Sequence, residues 1–263
     1  MKVNSFSVQL NEGLYDPGIF KAFFLAGGPG SGKTFVTSSA FAGTGLKLVN
    51  SDVKFERDLK KANLSLKMPD EEEYFRNIIR QSAKKFVITQ LDQYIRGRLG
   101  LIIDSTGRDY DMIARQHNQL KQLGYDCYMV FVNTSLDVAL QRNKDRPRSI
   151  PEYVVEKSWN TVQQNIGKFQ YLFGRSNMAI IDNNKSDKEL VTDTLRKAAN
   201  FVRSNLMRKP NNIIAKAWIA RELQMMLSLG EEEGWKAPIV STTATASEGI
   251  DELWKNIEKH KKN

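Results

Sequence analysis

Short apolar runs alternate with longer stretches of mixed polarity along most of the chain. Runs at 20–26, 46–49, 99–103, 126–132 and 178–182 are rich in Phe, Ile, Leu and Val and have the length and texture of strands buried on both faces. Between them, apolar positions at helical spacing predict helices over 33–41, 109–123, 151–173 and 186–205, and a further helix capped by Ser135. Residues 69–97 read as one long polar helix, opened by Asp70, Glu71, Glu72 and Glu73, whose carboxylates suit the positive end of its dipole. A strand, helix, strand rhythm of this kind builds a parallel sheet through right-handed crossovers.

The pattern changes after residue 205. Residues 212–228 place Ile213, Trp218, Leu223, Met226 and Leu227 at helical spacing, and the Met225–Met226 pair is expected to pack. An acidic break at Glu231–Gly234 precedes an apolar run at 237–240, expected to be a strand, and a helix over 247–262. The expected organisation is thus a three-layer α/β domain over residues 1–207 and a short α/β appendage over 208–263.

The junction of the first strand and first helix carries the clearest chemistry. Gly27, Gly28, Pro29, Gly30, Ser31, Gly32, Lys33 and Thr34 complete the pattern G-x-x-x-x-G-K-[ST] in the strand-to-helix setting that it requires. The glycines let backbone N–H groups approach a polyphosphate, and the helix start aims its dipole at the same anion. Lys33 is expected to reach the β- and γ-phosphates, and Thr34 to offer its hydroxyl to Mg²⁺. The expected fold is therefore that of a P-loop NTPase or kinase, with ATP and Mg²⁺ as cofactors.

Two further strand ends deliver carboxylates where such sheets bind ligands, outside their carboxyl ends. Asn50, Ser51 and Asp52 follow the second strand, and Asp104, Ser105, Thr106, Gly107 and Arg108 close the third. Asp52 is placed to do chemistry, and Asp104 has the position of a residue that orients Mg²⁺ or its water shell. Farther on, Arg142, Arg146 and Arg148 lie within seven residues beside Pro147 and read as a lid over phosphates. Arg76, Arg80 and Lys84 share a face of the long polar helix, where a solvated stripe is the plainer reading.

Composition narrows the rest. A net charge of +9, most of it carried before residue 208, suits an anionic partner. It permits nucleic acid without arguing for it, since no Lys/Arg run is interleaved with aromatics. The single cysteine, Cys127, lies in an apolar run and leaves neither a disulfide framework nor a Cys metal site. No apolar stretch is long enough to cross a membrane, and the opening residues lack the apolar centre of a signal peptide. The expected compartment is the cytoplasm, that of the host if the chain is phage-encoded.

With these motifs in place, the first 205 or so residues resemble zeta-toxin-type P-loop kinases, and more closely the related small kinases of tailed phages. The stretches YDPGIFKAFFLAGGPGSGKT and YDCYMVFVNTSLDVALQRNKDRPRSIP carry the closer resemblance. The resemblance implies transfer of the γ-phosphoryl of ATP to a hydroxyl, with Asp52 taking the hydroxyl proton. It matches Asp104, Thr106 and Arg108 to the family's acidic-x-Thr-x-Arg, and Arg142, Arg146 and Arg148 to its lid arginines. The family usually follows its base with Phe-Arg, whereas Phe55-Glu56-Arg57 stands here, so its sugar-nucleotide acceptor is not carried over. The acceptor class stays open among sugar nucleotides, nucleosides and polynucleotide ends.

Residues 222–260 resemble the end of the GTPase domain in the methylmalonyl-CoA-mutase chaperone family. That likeness recasts Asn184-Lys185-Ser186-Asp187 as a guanine-specifying NKxD, Asp104–Gly107 as DxxG, and Ser241-Thr242-Thr243-Ala244 as the last guanine loop. A GTP-binding switch protein and a non-catalytic ATP-binding module are the alternatives to the kinase reading. The GTPase reading gives no role to Asp52 or to the lid arginines.

Overall fold

The chain enters its sheet through the most buried strand. The computed structural model describes residues 14, 16–66, 69–146, 150–184, 188–228, 238–242 and 246–261. Every residue of β1 (Lys21–Ala26) is buried. It is followed by α1 (Lys33–Ala40), β2 (Lys47–Val49), α2 (Ser51–Lys61), a 3₁₀ turn at Asp70–Glu72 and α3 (Glu73–Arg96). Next come β3 (Leu101–Asp104), α4 (Tyr110–Gln122), β4 (Asp126–Asn133), α5 (Leu136–Lys144) and α6 (Glu152–Phe173). A 3₁₀ turn at Arg175–Asn177, β5 (Met178–Asp182) and α7 (Lys188–Leu206) complete this part.

The five strands form one parallel sheet in the order β2-β3-β1-β4-β5. The chain leaves β1 toward β2 and leaves β4 toward β5, so these adjacent strands send their connections opposite ways. A crevice opens at the carboxyl ends of such a pair, and the loops after β1 and β4 line it.

Three layers result. On one face Phe23, Leu25, Val130 and Val132 pack against Val36, Ala40 and Phe41 near α1 and against Ala198, Val202 and Leu206 of α7. On the other, Phe24 meets Phe173 of α6 edge-on at 5.3 Å, and His117 of α4 meets the same ring at 4.7 Å. Each such fully buried Phe or Leu contributes roughly 1.5–3 kcal/mol. Lys21 is the buried exception: it pairs with Asp126 at 2.8 Å, its register partner on β4. Burial holds its ammonium below the usual lysine range, and the Asp126 bond opposes that shift.

Cys127 is a buried β4 thiol, its pKa pushed up to about 12 by burial, so it is inert as a nucleophile. α2 is a helix that the apolar pattern did not announce. Only Phe55 and Leu59 along it are buried, four residues apart on one face, and they form a small cluster with Ala83 of α3.

The chain divides into two units, residues 1–212 and 213–263. The second contains α8 (Ile213–Ser228) and α9 (Ile250–His260). The expected strand at 237–240 does not form across its described residues 238–240, which are irregular. A short apolar run becomes a strand only with a neighbour to pair with, and no strand lies among the described residues of this unit. The described residues of this unit form two helices and one isolated bridge residue, Glu248. Met225 and Met226 are about half exposed, 51% and 52%, rather than packed. Among the described residues no helix is long and apolar enough to cross a membrane.

Candidate active site

The loop after β1 has a shape that only glycine permits at two of its corners. Gly30 and Gly32 have φ of +77° and +85°, in the left-handed region. A Cβ at Gly30 would collide with the Ala139 carbonyl, and one at Gly32 with the side-chain amide of Asn183. The loop is closed by Ser31 N–H donating to the Gly28 carbonyl at 3.1 Å and by Gly27 N–H donating to Thr106 at 3.2 Å. α1 starts directly from it at Lys33.

Ser31 is buried within this loop, and its hydroxyl has no hydrogen-bond partner. A buried hydroxyl left unmatched costs roughly 1–3 kcal/mol, which a ligand oxygen would relieve. Lys33 donates from Nζ to the Gly27 carbonyl at 2.6 Å. Burial lowers its pKa, Asp104 and Asp52 raise it, and Arg146 lowers it further. Lys33 thus stands in the field of two predicted carboxylates and one predicted arginine. Thr34 is exposed in the first turn of α1.

Asp104 ends β3 and is half-buried. Burial pushes its carboxyl above the usual aspartate range and the neighbouring Asp52 charge adds to that; Lys33 and the Asn50 hydrogen bond oppose it. Asn50 donates from Nδ2 to Asp104 Oδ2 at 2.6 Å, and its Oδ1 accepts the Asp52 N–H at 2.7 Å. Asn50 is the cap of α2, and Asp52 occupies that helix's first turn. One amide therefore joins the ends of β2 and β3. The Asp52 carboxylate meets the Arg80 guanidinium at 3.8 Å, and that guanidinium lies over the Phe55 ring at 4.1 Å. Arg80 belongs to the site and not to a solvated stripe, whereas Arg76 turns back to the Pro69 carbonyl at 2.8 Å.

Thr106 and Arg108 are exposed on the loop after β3. Asn165 of α6 pins that loop, donating to the carbonyls of Gly107 at 3.1 Å and Arg108 at 3.0 Å. Of the lid arginines, Arg142 sits in the last turn of α5 rather than on a loop, and it donates to the Asn183 carbonyl at 2.8 Å. Burial and the nearby Arg146 charge lower its pKa. Arg146 follows α5 and is exposed, and Arg148 lies outside the described residues.

The fit to a nucleotide and a divalent cation can be tested on these groups. The loop offers an orphaned hydroxyl, a helix start and Lys33 to an anion. Thr34 and Asp104 offer oxygen, the donor that a hard cation prefers. Among the described residues no three His, Cys, Asp or Glu side chains gather as a self-sufficient metal site. The residues present fit a cation completed by phosphate oxygens and water.

Sequence reasoning missed Asn50 as a link, Arg80 as a partner of Asp52, and Asn183. Asn50 carried one readable signal, its place as a possible cap immediately after a strand. Of the guanine-motif residues, Asn184 uses its side chain within the fold: Oδ1 accepts from Ser135 N–H at 2.5 Å and Thr134 Oγ1 at 3.1 Å, and Nδ2 donates to Asp182 at 2.6 Å. Lys185, Ser186, Asp187, Thr243 and Ala244 lie outside the described residues.

Residues 23–169 match a family described as AAA domain, and residues 181–263 match the methylmalonyl Co-A mutase-associated GTPase MeaB. A Pyrococcus horikoshii protein named as a GTPase is 44% identical over 45 residues, 16% of this chain; the chain spans 14% of the length of that curated relative. Among solved structures, the PezAT toxin-antitoxin system of Streptococcus pneumoniae is similar at TM-score 0.43 and 13% identity, covering 72% of this chain and 88% of that one. A gluconokinase of Sinorhizobium meliloti gives TM-score 0.43 at 12% identity, covering 79% and 98%. Shikimate kinase of Acinetobacter baumannii, in complex with shikimate, gives TM-score 0.44 at 18% identity, covering 74% and 100%.

Proposed function

This chain belongs to the AAA-domain family, and from that premise we propose that it is an ATP- and Mg²⁺-dependent phosphotransferase acting on a hydroxyl-bearing acceptor. The observation that carries the reading is the pairing of two carboxylates of different standing beside Lys33. Asp104 is half-buried and held by Asn50, whereas Asp52 stands 54% exposed at the opening of α2. A nucleotide-hydrolysing switch needs no second, solvent-facing carboxylate at this place; an acceptor hydroxyl does.

Phosphoryl transfer asks a protein mainly to position its reactants and to stabilise charge on the equatorial oxygens. The loop amides, the Ser31 hydroxyl and Lys33 bind the nucleotide phosphates, and Arg142 and Arg146 face the transferred group with guanidinium charge. Arg148 is assigned the same role from sequence. Thr34 and Asp104 would hold Mg²⁺, which would supply neutralisation of phosphate charge. Asp52 accepts the acceptor's hydroxyl proton as the new P–O bond forms and the bond to the leaving ADP breaks. The acceptor is a small molecule or nucleotide; sugar nucleotides, nucleosides and polynucleotide ends are the classes to screen.

The match of residues 181–263 to MeaB favours a second reading, a GTP-binding switch. The internal hydrogen bonds of Asn184 weigh against that residue contacting guanine. Calorimetric titration with ATP and GTP in Mg²⁺, followed by transfer of labelled γ-phosphate to an acceptor panel, separates the readings. ATP binding with transfer that is lost in Asp52→Asn supports the kinase. Tight GTP binding with negligible ATP binding hands the site to the switch, and ATP binding with no transfer to any acceptor leaves a binding module.

A further inference from the structure

Asn183 stands immediately after β5, buried to 6% exposure, and its N–H, its carbonyl and its side-chain Nδ2 each bond to another part of the site. Its N–H donates to the Asn133 carbonyl at the end of β4, at 2.9 Å. Its Nδ2 donates to the Ser31 carbonyl inside the phosphate loop, at 2.7 Å, across 152 residues of sequence. Its own carbonyl accepts from Arg142 NH1 at 2.8 Å. The contact is close enough that a Cβ on Gly32 would strike the Asn183 amide and lie 3.7 Å from Arg142 NH1.

We infer that Asn183 is the positioning residue of the phosphate loop: its side-chain amide fixes the Ser31 peptide and its carbonyl sets Arg142 over Gly32. The Ser31–Gly32 peptide has one orientation that turns its N–H toward the crevice, and a donor on its carbonyl side selects that orientation. A backbone anchored on β4 by the Asn133 bond holds that donor still. The same anchor carries an arginine, so loop shape and arginine placement depend on one residue. The inference rests on nucleotide binding by the loop and is independent of the acceptor.

The test uses the full chain and two variants. Asn183→Ala removes the donor; Asn183→Asp keeps the volume and turns the donor into an acceptor, so it answers the same question if the smaller side chain compromises folding. Amide hydrogen exchange, without nucleotide, is expected to quicken over residues 27–33 in both variants while β1 and β4 keep their protection. Calorimetry with ATP and Mg²⁺ is expected to show roughly ten- to hundredfold weaker binding. Unchanged exchange over 27–33 together with unchanged ATP affinity would overturn the inference, as would loss of protection spread evenly over the sheet. A wild-type chain that binds ATP but transfers nothing overturns the kinase reading and leaves this one standing.

Discussion

Asn50 gives one end of its amide to Asp104 at 2.6 Å and takes the Asp52 N–H at 2.7 Å with the other. It is both the cap of α2 and a donor to a carboxyl that burial disfavours as an anion. Asn50→Ala should therefore cost about 1 kcal/mol through the lost cap and lower the melting midpoint by roughly 2–4 °C. It should lower transfer by more than the stability change explains. Asn50→Asp restores the cap but sets a second carboxylate against Asp104, so the melt should recover while transfer does not. Equal recovery of both in Asn50→Asp would reduce Asn50 to a helix cap.

Lys33 and Asp52 should separate binding from chemistry. Lys33→Ala removes the ammonium assigned to the phosphates and should abolish turnover. Asp52→Asn should keep nucleotide affinity, because binding is assigned to the loop, and lose transfer by roughly a hundredfold or more. Affinity comes from calorimetry and transfer from labelled γ-phosphate. Comparable transfer by Asp52→Asn would remove the assigned base.

Arg80 meets Asp52 at 3.8 Å while lying over Phe55 at 4.1 Å. Both groups of the ion pair are partly exposed, so its contribution to stability is within about 1 kcal/mol, and the ring contact adds a similar amount. Arg80→Lys keeps the charge and gives up the flat stack. It should leave the melt nearly unchanged and lower kcat more than it raises KM for ATP, since Asp52 loses its fixed neighbour. An effect confined to KM for ATP would place Arg80 on the nucleotide and not on the base.

Asp104 predicts a pH dependence of the nucleotide-free protein. Its folded pKa is raised by burial, so the folded state holds a proton that the unfolded chain has already released. Stability from this group is therefore present at acid pH and lost as pH rises from the ordinary aspartate range through the raised folded value. Asp104→Asn removes that slope. Thermal midpoints measured in a chelator across this window should fall with pH in the wild type relative to Asp104→Asn, and the variant should be the more stable at neutral pH. It should also bind ATP in Mg²⁺ more weakly, a stability gain at the expense of function. Parallel pH profiles would show that Asp104 is charged at no net cost.

What could be read in advance follows from range along the chain. The phosphate loop, the strand-end carboxylates Asp52 and Asp104, and the strand and helix rhythm are local patterns, and the sheet places them as expected. Asn50 reaches Asp104 across 54 residues and Asn183 reaches Ser31 across 152, so no window of sequence contains either relationship. α2 escaped notice because its buried face is only Phe55 and Leu59, and residues 238–240 are irregular because apolarity marks a strand only beside a partner strand, and none lies among the described residues of that unit. Arg142, expected on a loop, sits on α5 because Ser135 caps a helix that continues to Lys144.

Asn184 decides between two readings of the same letters. As the first residue of a guanine motif it would present its amide to a base. In the fold it ties the ends of β4 and β5 together, taking Ser135 N–H and Thr134 Oγ1 and giving Nδ2 to Asp182. Asn184→Ala leaves the Ser135 N–H and the Thr134 hydroxyl without this acceptor and should destabilise by roughly 1–3 kcal/mol. That loss acts on the scaffold beneath the loop, so affinity for ATP and GTP should fall together and their ratio should hold. Side-by-side calorimetry of wild type and variant measures the ratio directly. A selective loss of GTP binding of tenfold or so, about 1.4 kcal/mol, would mean that Asn184 reads guanine and that the switch reading is the right one.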